Sequence, residues 1–207
     1  MSKKELKDLN SGTLWGRIAS AIRKKSDGGK PYIFITLECG NEFLGNVQTY
    51  VRLWGEERVE KFLDYYKQHP HDAYRFFCFF NQYEDDGRIL SNYTAYKWVP
   101  YQGSELKATF ILRGKITGGD LSADEPYLNL YLKREGGEGY EPAEEKFLVY
   151  LHPKMVFVKG ASREDLKEDA HVEIAGYLRA KEPEDSFGRQ SSDIRPYVME
   201  MIVYPPF

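Results

Sequence analysis

Residues 43–54 read FLGNVQTYVRLW, and the alternation in this stretch decides the fold class. Phe43, Gly45, Val47, Thr49, Val51 and Leu53 form a largely apolar set, while Asn46, Gln48, Tyr50, Arg52 and Trp54 are amide, aromatic and cationic. A period of two places the sets on opposite faces of a β-strand. One face enters a core. The other carries groups that unpaired nucleotides bind: aromatic planes for stacking, amides for base edges, a guanidinium for phosphate. An ordinary solvated strand can show the same pattern, since exposed aromatics are common on strands.

Working outward, two strand-like runs precede this one. Leu14 to Lys25 ends in the turn Ser26-Asp27-Gly28-Gly29. In Pro31 to Cys39, Ile33, Ile35 and Leu37 alternate with Tyr32, Phe34 and Thr36, and Gly40-Asn41 turns the chain into the opening stretch. The three runs read as a meander. The period then changes. In Glu56 to Gln68, Val59, Phe62, Leu63 and Tyr66 recur at helical spacing, Glu56 and Glu57 sit in the first turn, and His69-Pro70 ends the segment. Strands over Ala73 to Glu84 and Leu90 to Val99 follow, joined by Asp85-Asp86-Gly87.

Three strands, a helix and two strands is the order of the oligonucleotide/oligosaccharide-binding (OB) fold, a five-stranded Greek-key barrel. A split sheet of unrelated topology shares that order. The second half repeats the plan without obvious letter-level similarity: strands at Leu106–Thr117, Tyr127–Arg134 and Lys146–His152, a helical turn at Ser162–Lys167, then strands at Ala170–Ala180 and Pro196–Tyr204. A polar loop, Glu182–Asp193, precedes the last strand. The expected fold is all-β: two tandem five-stranded OB-fold barrels, each with a helix or helical turn between its third and fourth strands. The expected division is a flexible arm over 1–13, a first barrel over 14–103 and a second over 104–207, with Pro100–Ser104 as linker.

Composition agrees with half-buried sheet surfaces. Tyr (16) outnumbers Phe (12), and each Tyr hydroxyl must reach water or a partner. The net charge of −3 excludes a uniformly basic molecule. The charge is uneven: 15 Lys and Arg against 14 Asp and Glu over residues 1–105, and 14 against 18 over 106–207. Arg17, Arg23, Lys24, Lys25 and Lys30 lie close together with Asp27 as the acid among them. Screening confines their field to about 10 Å, so a local basic patch can meet phosphate on an acidic protein. Such a run also suits a solvated edge strand.

Chemistry-bearing motifs are sparse. No phosphate-binding glycine loop and no nucleophile elbow occurs, and Cys39 and Cys78 lack metal-ligand spacing. The cysteines fall in apolar runs and read as reduced and buried, which with no signal peptide suggests a cytoplasmic protein. His69 and His71 flank a proline without further ligands nearby in sequence. The expectation is a non-enzymatic protein with no cofactor, no metal and no membrane span.

The strand order and the outward residues resemble the single-stranded DNA-binding proteins, in their bacterial and phage forms or the tandem-barrel replication protein A form. The resemblance spans roughly residues 14–204. It implies that Tyr32, Phe34, Tyr50 and Trp54 stack bases, with Gln48 beside them, and that Arg17, Arg52 and the cluster Arg23, Lys24, Lys25 and Lys30 meet phosphates. It implies sequence-tolerant binding of single-stranded DNA in replication, recombination or repair, with a homodimer or a replication-protein partner as companions. Tyr127, Asn129, Tyr131 and Lys133 of the second barrel either continue the surface or are buried between barrels. The bacterial members end in an acidic tail closing in Pro-Phe; the MIVYPPF here is similar in its Pro206-Phe207 but has no acidic run before it, which departs from that pattern. RNA binding, or a protein-interaction module built on the same fold, fits the same residues.

Overall fold

The structure, a computed structural model, describes residues 6–41, 45–85, 88–136, 141–180 and 194–204. It is mostly β-sheet, with one α-helix among the described residues. The chain forms two compact units: the described residues among 12–109 and 178–195 make one, and those among 1–11, 110–177 and 196–207 make the other.

The first unit is built from β1 (Leu9–Lys25, from residue 12 on), β2 (Pro31–Asn41), β3 (Gly45–Trp54), α1 (Glu56–Gln68), β4 (Ala73–Asp85) and β5 (Arg88–Tyr101). The strands run in the order β2-β3-β5-β4-β1, and β1 pairs back onto β2, so the five close into a ring. β3 and β5 are parallel; the other documented pairs are antiparallel. The alternation read from sequence is what closes the ring's interior. Ile33, Ile35, Leu37, Val51, Leu53, Phe76, Phe80 and Tyr93 are all fully buried. Each large apolar side chain so buried contributes about 1.5–3 kcal/mol.

The helix occupies the span its periodicity predicts. Val59 and Phe62 are buried, and Phe62 lies 5.8 Å from Tyr74, 6.0 Å from Phe76 and 5.3 Å, edge-on, from Trp98. Gly55 joins β3 to the helix at φ 99°, a conformation that strains other residues. Its N–H donates to the Pro31 carbonyl at 3.2 Å, which ties the end of β3 to the start of β2.

The second unit contains β6 (Lys107–Asp120, from residue 110 on), β7 (Tyr127–Arg134), β8 (Ala143–Val158), β9 (His171–Ala180, to residue 177) and β10 (Ile194–Tyr204, from residue 196 on). Their order is β6-β7-β8-β10-β9, closed by β6 against β9, with β8 and β10 parallel. It is the same strand order as in the first unit. A single 3-10 turn, Arg163–Asp165, stands where α1 stands in the first. Asp165 Oδ2 caps it, accepting from the Ser162 N–H at 2.8 Å and the Ser162 hydroxyl at 3.0 Å.

The N-terminal segment differs from the expected arm. β1 begins at Leu9, five residues before Leu14. Asn10 is buried, and its Nδ2 donates to Glu145 at 2.8 Å. Asp8 accepts the Lys133 N–H at 2.7 Å and lies 3.2 Å from His171 Nε2. These polar side chains look like solvated-arm residues in sequence because their partners lie more than a hundred residues away. Strand bounds elsewhere extend the expected runs: β8 continues past His152 to Val158, and β5 takes in Pro100 and Tyr101 of the expected linker. Phe43, the turn residues Asp86-Gly87 and the polar loop Glu182–Asp193 lie outside the described residues.

Candidate nucleic-acid interface

The outward face of β2 and β3 is set by their register. Tyr32 lies opposite Trp54, Phe34 opposite Arg52, Thr36 opposite Tyr50 and Glu38 opposite Gln48. Direct partners in an antiparallel pair share a face, and the intervening Ile33, Ile35, Leu37, Val51 and Leu53 all point into the core. The aromatics therefore gather outside the ring. Tyr32 and Trp54 are stacked, with centroids 4.5 Å apart and planes at 29°. Phe34 and Tyr50 are stacked at 5.1 Å and 25°. Tyr50 is 40% exposed, enough to offer a ring face to a ligand.

β1 supplies the edge of this face. Ser20 faces Thr36, Ile22 faces Phe34 and Lys24 faces Tyr32. Lys24 Nζ sits 4.8 Å from the Phe34 centroid, and the Ser20 hydroxyl donates to Thr36 Oγ1 at 3.0 Å. Ile22, 52% exposed, adds an apolar contact that sequence reading passed over. Among the described residues neither Lys24 nor Arg52 is in an ion pair, so both charges are available to an anion.

A β-bulge in β1 sorts the basic cluster. Arg17 pairs with Glu38 and Ile18 with Leu37, but Ser20, not Ala19, pairs with Thr36. The extra residue inverts the alternation. Before it, Thr13, Trp15 and Arg17 point outward; after it, Ser20, Ile22 and Lys24 do. Gly16 permits the close passage of β1 over β2 here, since a Cβ would meet the Glu38 carbonyl oxygen and Leu37 Cγ, each at 2.6 Å.

The structure brings Tyr32, Phe34, Gln48, Tyr50, Arg52, Trp54 and Lys24 onto one face, with Arg17 on the same side opposite Glu38. Arg23 departs from the expected cluster. It lies across from buried Ile33 and forms ion pairs with Glu56 and Glu60 of α1. Lys25 follows it on that side of β1, opposite Pro31, and is exposed. Lys30 is exposed in the turn, where its N–H donates to Ser26 Oγ at 3.2 Å.

The corresponding strands of the second unit are differently furnished. Leu128, Leu130 and Leu132 are buried, and Tyr127, Asn129, Tyr131 and Lys133 occupy the other face of β7. Tyr127 lies opposite Tyr150, and Tyr150 opposite Tyr197, with centroids 6.5 and 5.8 Å apart and planes tilted at 58° and 39°. Carboxylates answer some of the cations: Lys133 with Glu144 at 3.2 Å on this face, Arg134 with Glu145 at 3.1 Å on the leucine side of β7, and Arg113 Nε with Glu173 at 2.7 Å. Exposed Lys115 of β6 and Lys146 of β8 lie opposite Tyr131 and, among the described residues, are in no ion pair. Hydrogen bonds from Tyr131, then from Lys133, hold the Glu144 carboxyl below its ordinary value, while burial opposes them.

Reactive side chains are few. Cys39 and Cys78 are free and buried, and burial pushes both thiols well up, away from nucleophilic thiolate. Among the described residues no group of three or more His, Cys, Asp and Glu could hold a metal ion, and no helix is long and apolar enough to cross a membrane.

No known family profile and no curated protein matches the sequence. Among solved structures, the chain is similar to the wild-type single-stranded DNA binding protein from Thermus aquaticus, with a TM-score of 0.59 and 16% identity. The match covers 98% of this chain and 96% of that one. At this identity the likeness establishes the fold, which is all-β and OB-like in the manner of that protein.

Proposed function

We propose that the chain is a sequence-tolerant single-stranded DNA-binding protein built from two tandem OB-type barrels. The single observation that carries this reading is the β2–β3 face, where two stacked aromatic pairs stand beside Lys24 and Arg52, cations in no ion pair among the described residues. Every base has a π-face, so such a platform accepts any sequence, and each stacked base contributes about 1–3 kcal/mol. The likeness to the Thermus aquaticus protein supports the reading, because it runs over almost the whole of both chains. Tyr32, Phe34, Tyr50 and Trp54 serve as stacking planes. Arg52, Lys24 and Arg17 take phosphates, and Gln48 meets a base edge or the backbone. Lys25 and Lys30 lie at the margin. Arg23 instead ties β1 to α1.

The action is to hold an unpaired strand open, with no chemical step, in replication, recombination or repair in the cytoplasm. The test is titration with a deoxythymidine oligomer followed by intrinsic Trp fluorescence, at low and high salt, against duplex and a matched RNA. Quenching by the DNA single strand that weakens with salt, and is reduced in Trp54→Phe, is the expected result. Preference for the RNA would reassign the substrate to a 2′-hydroxyl-bearing strand. No binding of any oligomer would overturn the proposal.

A further inference from the structure

A second aromatic and cationic patch lies on the first ring, on the outward face of β1, β4 and β5. In the register Trp15 faces Arg75, Arg75 faces Val99, Thr13 faces Phe77 and Phe77 faces Lys97. Arg75 lies between two rings, its Cζ 5.0 Å from the Trp15 centroid and 4.5 Å from that of Phe77. Lys97 Nζ is 5.4 Å from Phe77, and Lys107 Nζ is 5.2 Å from Trp15. A second bulge makes this possible. Phe77 pairs with Lys97 but Cys78 pairs with Ala95, so Tyr96 is extra and Lys97 turns outward although Ala95 and Tyr93 are buried.

The charge on this patch is unbalanced. Lys107 has a carboxylate, Glu105, at 2.9 Å. Among the described residues Arg75 and Lys97 are in no ion pair, and Arg75 Nε is buried without a hydrogen-bond partner. Cation–π contacts orient the guanidinium but leave its charge unneutralised. An oriented guanidinium and a nearby ammonium, beside aromatic planes, complement a polyanion that also carries flat bases.

β1 connects this patch to the β2–β3 face. Arg17 is exposed, lies two residues from Trp15, and is opposite Glu38 of β2 and Ala73 of β4. Lys24 marks one end of this outward row and Trp15 the other, about 30 Å apart at strand rise. We infer that the β1–β4–β5 face centred on Arg75 is a second station for the same single strand, reached from the β2–β3 face by way of Arg17. This deepens the proposed function and rests on it.

The test compares deoxythymidine oligomers of about 4 and about 16 nucleotides, which bracket the lengths that one OB fold occupies. The variants are Lys97→Gln, an exposed change that spares the core, and Arg75→Gln combined with it. The double variant should bind the short oligomer as the wild type does. It should lose roughly tenfold or more on the long one, with a salt slope shallower by about 0.7 for each cation removed. Lys97→Gln alone should show half the change in slope. Unchanged long-oligomer affinity and slope in both variants would overturn the second station. So would a fall in sedimentation mass without DNA, which would make the patch an interface between two copies of the chain. If the wild type binds neither oligomer, it is the binding reading itself that fails, along with the station that rests on it.

Discussion

The two rings share a strand order and differ in what their second and third strands present. In the first, β2 and β3 carry stacked pairs at 4.5 and 5.1 Å beside Lys24 and Arg52, which among the described residues are in no ion pair. In the second, β7 and β8 carry tilted tyrosines, Lys133 is met by Glu144, and Lys115 and Lys146 lie opposite Tyr131. The inward residues of both are aliphatic and aromatic in the same alternation. Topology thus follows the inward half of each strand, and the outward half is free to diverge. The two outward faces therefore differ chiefly in ring geometry, stacked in the first and tilted in the second, and in the Lys133–Glu144 pair.

The comparison breaks most completely if the first ring is unfolded. Phe62→Ala removes the side chain that seats α1 against Tyr74, Phe76 and Trp98, and should cost about 3–5 kcal/mol of stability. Denaturant unfolding should report that loss. The second unit has a 3-10 turn at that position with no buried residue, so Leu166→Ala should cost far less.

Next in size are the aromatic truncations. Trp54→Ala should weaken single-strand binding by about 1–3 kcal/mol, roughly 5- to 150-fold, with the melting temperature nearly unchanged. Tyr150→Ala in the second unit should change affinity less than about threefold. Equal losses from the two would abolish the distinction between the faces.

Lys24 and Arg23 give a finer comparison within one strand. Lys24→Gln should reduce the slope of log affinity against log salt by about 0.7. Arg23→Gln should leave the slope alone and lower stability slightly, because its partners Glu56 and Glu60 lie on α1 and the pairs are largely exposed. The smallest expected effect is a gain. Glu144→Gln frees Lys133 and should raise single-strand affinity by less than about threefold in the same titration.

Much of this was legible in the sequence, and the limits have a physical cause. The helix, the inward set of β2 and β3 and the leucine stripe of β7 follow from periodicity alone, because burial imposes it. Tyr32, Phe34, Tyr50 and Trp54 share a face for the same reason. The basic cluster was not legible residue by residue. Ala19 forms a bulge that no propensity marks, and one extra residue exchanges the sides of Arg23 and Lys24. The bulge at Tyr96 likewise hides the meeting of Lys97 with Phe77. Asp8 and Asn10 read as arm residues since their partners, His171, Lys133 and Glu145, are distant in the chain.

The most direct test of the account is photocrosslinking with a deoxyoligonucleotide carrying 5-iodouracil, with adducts mapped by peptide mass spectrometry. The account predicts adducts on Tyr32, Phe34, Tyr50 or Trp54, lost under competition by unlabelled single strand and retained under competition by duplex. Adducts confined to Tyr127, Tyr131, Tyr150 or Tyr197 would contradict it, placing the binding surface on the second ring.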